Sequence, residues 1–171
     1  MLARHEVERR RFNLNQAVED ASAILRAEAR RRAAAIDYVL RAQQADVLGD
    51  PVQIQHVIIN LMLNAFDASA ELLPEQRRIR VETSDTPTGV QLSIRDFGSG
   101  IAPKDLSHVF ESFFSTKSRG MGLGLSIARS IVEAHGGTIA AANREAGAEF
   151  HVTLPLAPST ADAGQPLTIP R

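Results

Sequence analysis

The sequence predicts an α/β domain of two layers, with about five strands and three helices. Three observations predict it. Five short segments alternate apolar and polar residues as half-buried strands do. Three longer stretches carry apolar residues at helical spacing. The chain has 171 residues, 44% of them hydrophobic, which supplies one domain's core and too little for two.

The elements follow in order. Residues 1–12 are charge-dense, with Arg4, Arg9, Arg10 and Arg11 against Glu6 and Glu8, and read as a solvated helix end or a linker. Asn13 or Asn15 caps a first helix that runs to about Arg32, with Val18, Ala21, Ile24, Leu25 and Ala29 on one face. Ile36–Ala42 alternates as a strand. Asp50 and Pro51 supply an N-cap and a first helical position, and the second helix extends from Pro51 to about Leu72. Its wealth of Ile, Leu, Val and Met predicts deep burial. Strands at Ile79–Ser84 and Val90–Arg95 flank a turn at residues 85–89. Five of the eleven glycines then fall between Gly98 and Gly124, which predicts a long loop with one short helix near Pro103–His108. A third helix spans about Leu123–His135 and stops at Gly136 and Gly137. Thr138–Ala142 and Glu149–Leu154 read as a closing hairpin. The segment from Pro155 holds four of the eight prolines and reads as a mobile tail or linker.

Composition excludes several functions. With 19 Lys and Arg against 20 Asp and Glu, the chain has no charge excess to attract nucleic acid or an anionic membrane. It has no cysteine, which removes disulfides, thiol catalysis and Cys-ligated metal. The five histidines form no H-x-x-x-H pair, which argues against zinc. No apolar run reaches the roughly 18 residues of a membrane-spanning helix.

Three constellations carry chemistry. His56, Asn60, Asn64 and Asp67 are spaced 4, 4 and 3 and share one face of the second helix. Asn is a poor helix former, so two of them one turn apart are not there for propensity. Aligned amide oxygens can ligate a hard cation such as Mg²⁺, although the same spacing suits a solvated helix face. Asp96-Phe97-Gly98-Ser99-Gly100 follows a strand whose Val90, Leu92 and Ile94 point to one side, and Asp96 continues that side. A carboxylate aimed into a core needs a donor, and an adenine amino group is one. Taken alone, an ordinary turn after a strand is the plainer reading of that motif. Finally, Thr116-Lys117-Ser118-Arg119-Gly120-Met121-Gly122-Leu123-Gly124 runs into the third helix. Alternate glycines at a helix N-terminus offer bare N–H groups to an anion, and Lys117 and Arg119 add cations. The Asp96-Phe97-Gly98 triplet matches the D-F-G of protein kinases, but no H-R-D or A-P-E accompanies it.

In this order the segments resemble the ATP-binding catalytic domain of bacterial two-component sensor histidine kinases, whose fold is shared with gyrase, Hsp90 and MutL-type ATPases and is called the Bergerat fold. Asn60–Ala68 resembles the family's N box, Asp96–Gly100 its G1 box, Val109–Phe114 its F box and Gly120–Leu125 its G2 box. Gly147–Phe150 and Leu154-Pro155 resemble its last strand. The match covers roughly Phe12–Pro155, and the wording of the N and F boxes is most similar to oxygen- and nitrogen-sensing kinases. The resemblance implies a two-layer α/β sandwich, its mixed sheet of about five strands covered on one face by three helices. It implies a linker remnant of a preceding helical dimerisation domain at 1–12, the catalytic domain at 13–155 and a flexible tail at 156–171.

It also implies roles. Asn64 would ligate the Mg²⁺ bridging the ATP phosphates, supported by Asn60, and Asp96 would accept from the adenine amino group. Gly98, Gly100, Ile101 and the loop through Gly120, Met121, Gly122, Leu123 and Gly124 would wall the nucleotide and form its lid. Thr116 and Lys117 would reach the phosphates, Lys117 with a catalytic part beside Asn60 and Asn64. Asp67 is counted with the nucleotide-binding residues, although it stands where many kinases carry Lys or Arg, and Ala148 stands where many carry Thr. Asn60 stands where hydrolytic relatives have a glutamate base, which favours transfer over hydrolysis. His5 reads as a solvated linker residue rather than a phosphoryl acceptor, and His56 as a packing residue. The expected activity is transfer of the ATP γ-phosphoryl group to a histidine on the separate dimerisation domain, for relay to a response regulator, in the cytoplasm and without direct membrane contact. The rival expectations are a gyrase- or MutL-type ATPase clamp and a non-enzymatic nucleotide-binding module.

Overall fold

A computed structural model describes residues 9–114 and 122–159. The elements are β1 (Arg10–Asn13), α1 (Leu14–Arg31), β2 (Ala35–Leu40), β3 (Asp46–Gly49), α2 (Pro51–Ala68), β4 (Arg78–Thr86), β5 (Gly89–Asp96), α3 (Gly124–Ala134), β6 (Thr138–Asn143) and β7 (Ala148–Leu154). Five strands form one sheet in the order β2-β4-β5-β7-β6. β2 runs parallel to β4, and the other pairs are antiparallel, so the sheet is mixed as expected.

The alternation along the strands sets the layers. Ile79, Val81 and Thr83 of β4, Val90, Leu92, Ile94 and Asp96 of β5, and Ala148, Phe150, Val152 and Leu154 of β7 are all buried. Between them Arg80, Glu82, Gln91, Ser93, Arg95, Glu149, His151 and Thr153 are not, which leaves the far face of the sheet polar. The three helices close the apolar side, with α2 central between α1 and α3. On α2, Ile54, Ile58, Leu61, Met62 and Phe66 are essentially inaccessible. Burial of each such side chain stabilises the fold by about 2–3 kcal/mol.

The helix starts match their sequence signals. The Asn13 side chain accepts from the Gln16 amide, and Asp50 accepts from the amides of Val52 and Gln53 with Pro51 in the first turn. Buried His135 ties two helices together. Its Nδ1 lies 2.8 Å from the Ile131 carbonyl and its Nε2 accepts the Asp50 N–H at 2.9 Å. The proton therefore sits on Nδ1, and the end of α3 is fastened to the start of α2.

Several expectations require correction. Ile24 is 59% exposed rather than packed with Leu25, and His56 is exposed rather than a packing residue. Helix α2 ends at Ala68, four residues early, and irregular turns carry the chain on to a 3₁₀ turn at Pro74–Gln76. No helix forms at Pro103–His108. Instead Asp105, His108, Glu111 and Phe114 donate to residues three earlier, in a chain of separate turns. This segment is held from outside, by buried Val109 and by Phe110, whose ring meets Phe150 edge-on at 6.1 Å. Strands β1 and β3 had no forecast. They pair as a separate two-stranded ribbon, Arg10 against Gly49 through Asn13 against Asp46. After β7, Leu156 packs on the core and the Ala157 N–H donates to the Asp46 carbonyl at 2.7 Å.

Candidate functional site

The site begins where β5 ends. Asp96 is the last residue of the buried row and is 3% exposed. Its Oδ1 accepts from the Gly98 amide at 2.9 Å and the Ala148 amide at 3.3 Å. Both bonds fall on the same oxygen, and among the described residues no other residue donates to Oδ2. Burial holds the Asp96 carboxyl above the usual aspartate range, outweighing the amides of Gly98 and Ala148, which pull it down. A donor that the ligand brings would relieve that penalty.

Close backbone approach builds the walls. A Cβ at Gly98 would lie 2.2 Å from the Ala68 carbonyl oxygen, so the loop after β5 presses on the last turn of α2. Gly147 has φ +78°, and a Cβ there would lie 2.0 Å from the Asp96 carbonyl oxygen and 2.7 Å from Oδ1. The β6–β7 turn therefore covers the carboxylate, and glycine alone fits. The same hairpin holds the other end of the loop. Asn143 accepts from the Ile101 N–H at 2.8 Å and donates to its carbonyl at 2.7 Å. Sequence reasoning missed Asn143, because an Asn at a strand end looks like any turn residue.

Asn60, Asn64 and Asp67 lie half-buried on one face of α2, as the spacing requires. Asn64 stands one turn before Ala68, whose carbonyl the Gly98 loop touches, so the amide stripe and the Asp96 hollow adjoin. Asn60 Nδ2 reaches toward the Gly124 carbonyl at 3.5 Å, which sets the start of α3 against this stripe. Among the described residues no side chain caps α3 at Leu123, and the N-terminal turn of a helix suits an anion. The Asp67 carboxylate takes a 2.6 Å contact from Arg32 at the end of α1. Gly122 (φ +66°) accepts from the Phe113 N–H at 2.9 Å, and this bond brings together the two flanks of residues 114–121. The predicted Thr116, Lys117, Gly120 and Met121 lie outside the described residues.

Among the described residues no three of His, Asp and Glu gather as a metal cage. The side-chain amides of Asn60 and Asn64 are the donor type on this face of α2, and amide oxygens suit a hard cation that takes its remaining oxygens from phosphate. Two grooves lie apart from Asp96. One of about 460 Å³ runs between α1 and β2 along Ala23, Ile36, Tyr38 and Leu40, and one of about 380 Å³ lies beside Arg32, Phe66 and Arg77. The first is lined mainly by apolar side chains, and the Arg77 guanidinium in the second is spent on backbone carbonyls. Neither offers a buried acceptor like Asp96 with backbone amides converging on it.

Comparison with known proteins identifies the family and the fold. A family model described as histidine kinase-, DNA gyrase B- and HSP90-like ATPase matches residues 49–158. The sensor protein FixL of Bradyrhizobium diazoefficiens is 42% identical over 160 residues, covering 91% of this chain and 31% of that protein. The catalytic domain of histidine kinase ThkA superposes with a TM-score of 0.78 at 32% identity, over 87% of this chain and 96% of that one. Histidine kinase ThkA in complex with the response regulator protein TrrA matches with a TM-score of 0.76 at 30% identity, over 90% of this chain and 43% of that one. The chain spans between 15% and 31% of the length of the curated relatives it matches. Among the described residues no helix is long and apolar enough to cross a membrane.

Proposed function

The chain belongs to the histidine kinase-, DNA gyrase B- and HSP90-like ATPase family, and on that premise we propose that it is the ATP-binding catalytic domain of a sensor histidine kinase. Residues 13–155 form that domain, residues 1–12 link it to a helical dimerisation domain, and residues 156–171 are a tail. Its activity is transfer of the ATP γ-phosphoryl group to a histidine on the dimerisation domain. A P–N bond forms to the imidazole as the P–O bond to ADP breaks, and the phosphoryl group passes on to a response regulator. Use of ATP goes with a cytoplasmic location.

One observation supports this reading above the others. Asp96 is a buried acceptor whose two loop amides share one oxygen, and the Gly98 loop beside it presses on Ala68, one turn beyond Asn64 on α2. Asp96 accepts from the adenine amino group, and Gly98 and Gly147 let backbone close on a flat base. Asn64, with Asn60 behind it, holds Mg²⁺ on the phosphate side. Bound Mg²⁺ would supply charge neutralisation for the phosphates. The uncapped start of α3, Thr116 and Lys117 orient the phosphates. The Asn60 amide has no basicity with which to activate water, which counts against an ATP-hydrolysing clamp.

Calorimetric titration with ATP, ADP and GTP, with and without Mg²⁺, tests the reading. ATP and ADP should bind, GTP should bind at least tenfold more weakly, and Mg²⁺ should tighten ATP binding. Equal affinity for GTP and ATP would refute the assigned role of Asp96.

A further inference from the structure

The polar stripe of α2 carries an electrostatic contradiction. Asp67 follows Asn64 by three residues on the same face, so their Cβ atoms are about 5–6 Å apart. That is inside the screening length of about 8 Å at physiological salt. A carboxylate there opposes any polyphosphate brought to Asn64. The structure holds a counter-charge in place. Arg32 Nη1 donates to Asp67 Oδ1 at 2.6 Å, across from the last turn of α1.

Arg32 is fixed from several sides. Its Nε donates to Glu28, and its guanidinium lies 5.8 Å from the Phe66 ring centre. Its own carbonyl accepts from Arg77 Nη1 at 2.8 Å, while Arg77 also bonds the carbonyls of Leu72 and Ala70. The chain then turns sharply at Ala33, a non-glycine residue at φ +50°. Partial burial works against the Arg32 cation, but its bonds to Glu28 and Asp67 outweigh it and its pKa is raised. An isolated surface ion pair is worth little because ordering two long side chains costs entropy. Here Glu28, Phe66 and Arg77 have already ordered the arginine.

We propose that Arg32 is a positioning residue of the nucleotide site: its guanidinium cancels the charge of Asp67 on the α2 stripe and so admits the phosphate chain of ATP to Asn64. The inference rests on the ATP reading above and adds a residue from α1 to it. Its signature is dependence on phosphate number, which a purely structural role would not give.

The test is titration of the full chain with Mg-ATP, ADP, AMP and adenosine. R32Q should weaken Mg-ATP about tenfold, ADP less and AMP less again, and should leave adenosine unchanged. Adding D67N to R32Q should restore Mg-ATP to within about threefold of the unsubstituted chain, and D67N alone should bind it at least as tightly. An unchanged R32Q, an equal loss for adenosine and ATP, or no rescue by D67N would overturn the inference. If R32Q fails to fold, D67N alone decides: weaker Mg-ATP binding in that variant overturns it. Failure of the unsubstituted chain to bind Mg-ATP would remove the site reading and this inference together. Normal binding with an unchanged R32Q removes the inference alone.

Discussion

The two ends of the proposed nucleotide site are built differently. At the end assigned to the base, Asp96 is locked by the Gly98 and Ala148 amides, covered by Gly147 and flanked by the Asn143–Ile101 clasp. At the end assigned to the phosphates, Asn60 makes one long contact of 3.5 Å and the first turn of α3 has no side-chain cap. One end is finished before a ligand arrives, and the other keeps polar groups in reserve. The difference teaches where specificity resides. A buried acid in a fixed frame selects a base by one hydrogen bond, since an incorrect partner leaves the acid desolvated. Loosely held amides discriminate little but accommodate a charged, hydrated group.

Substitutions can break or sharpen this contrast. The largest effect should come from Gly147→Ala, which puts a Cβ against the Asp96 carbonyl in a left-handed backbone. We expect a loss of about 2–4 kcal/mol of stability, read by urea unfolding, together with loss of ATP binding. A loss below 1 kcal/mol would mean the frame is not rigid. Next, Asp96→Asn should weaken ATP at least about 30-fold while melting no lower than the unsubstituted chain. The folded-state pKa of Asp96 is raised. Its stabilising contribution is therefore full below the unfolded aspartate pKa and is lost as pH rises through the folded value, and the neutral amide escapes that loss. The adenine amine needs the ionised form, so ATP affinity should fall on acidification, at a higher pH than for an ordinary aspartate. A calorimetric pH series would show this, and a flat profile would contradict it. The smallest effect should come from Asn64→Ala, roughly tenfold on Mg-ATP and absent without Mg²⁺ or for adenosine. A loss for adenosine of the same size would erase the distinction between the two ends.

Much of this contrast was legible in the residues. Asp96 continues the Val90, Leu92, Ile94 row, and simple alternation sufficed to bury it. Asp50-Pro51 and Asn13 marked helix starts through local hydrogen bonds alone. What escaped notice depends on partners far along the chain. Asn143 matters only because the hairpin folds back on Ile101, 42 residues away. Strands β1 and β3 are four residues each and too short for a periodic signal, and they exist because Arg10 meets Gly49. Ile24 fits the apolar face on spacing, yet it lies at the edge of α1 beyond the reach of the sheet. The short helix expected near Pro103–His108 gives way to separate turns, because contacts of Val109 and Phe110 with the rest of the fold dictate the path.

The ribbon of β1 and β3 has a geometric consequence. Asp46 receives the Ala157 N–H, Arg11 bonds the Pro158 carbonyl, and β7 ends at Leu154 opposite Val90, the far end of β5 from Asp96. Residues 10–13 and 156–158 thus lie together at the pole opposite Asp96. On the proposed reading, a domain tethered at either side shares that anchor and starts from the pole away from Asp96. Tether length then governs how often the two meet, while the hollow itself stays unaltered.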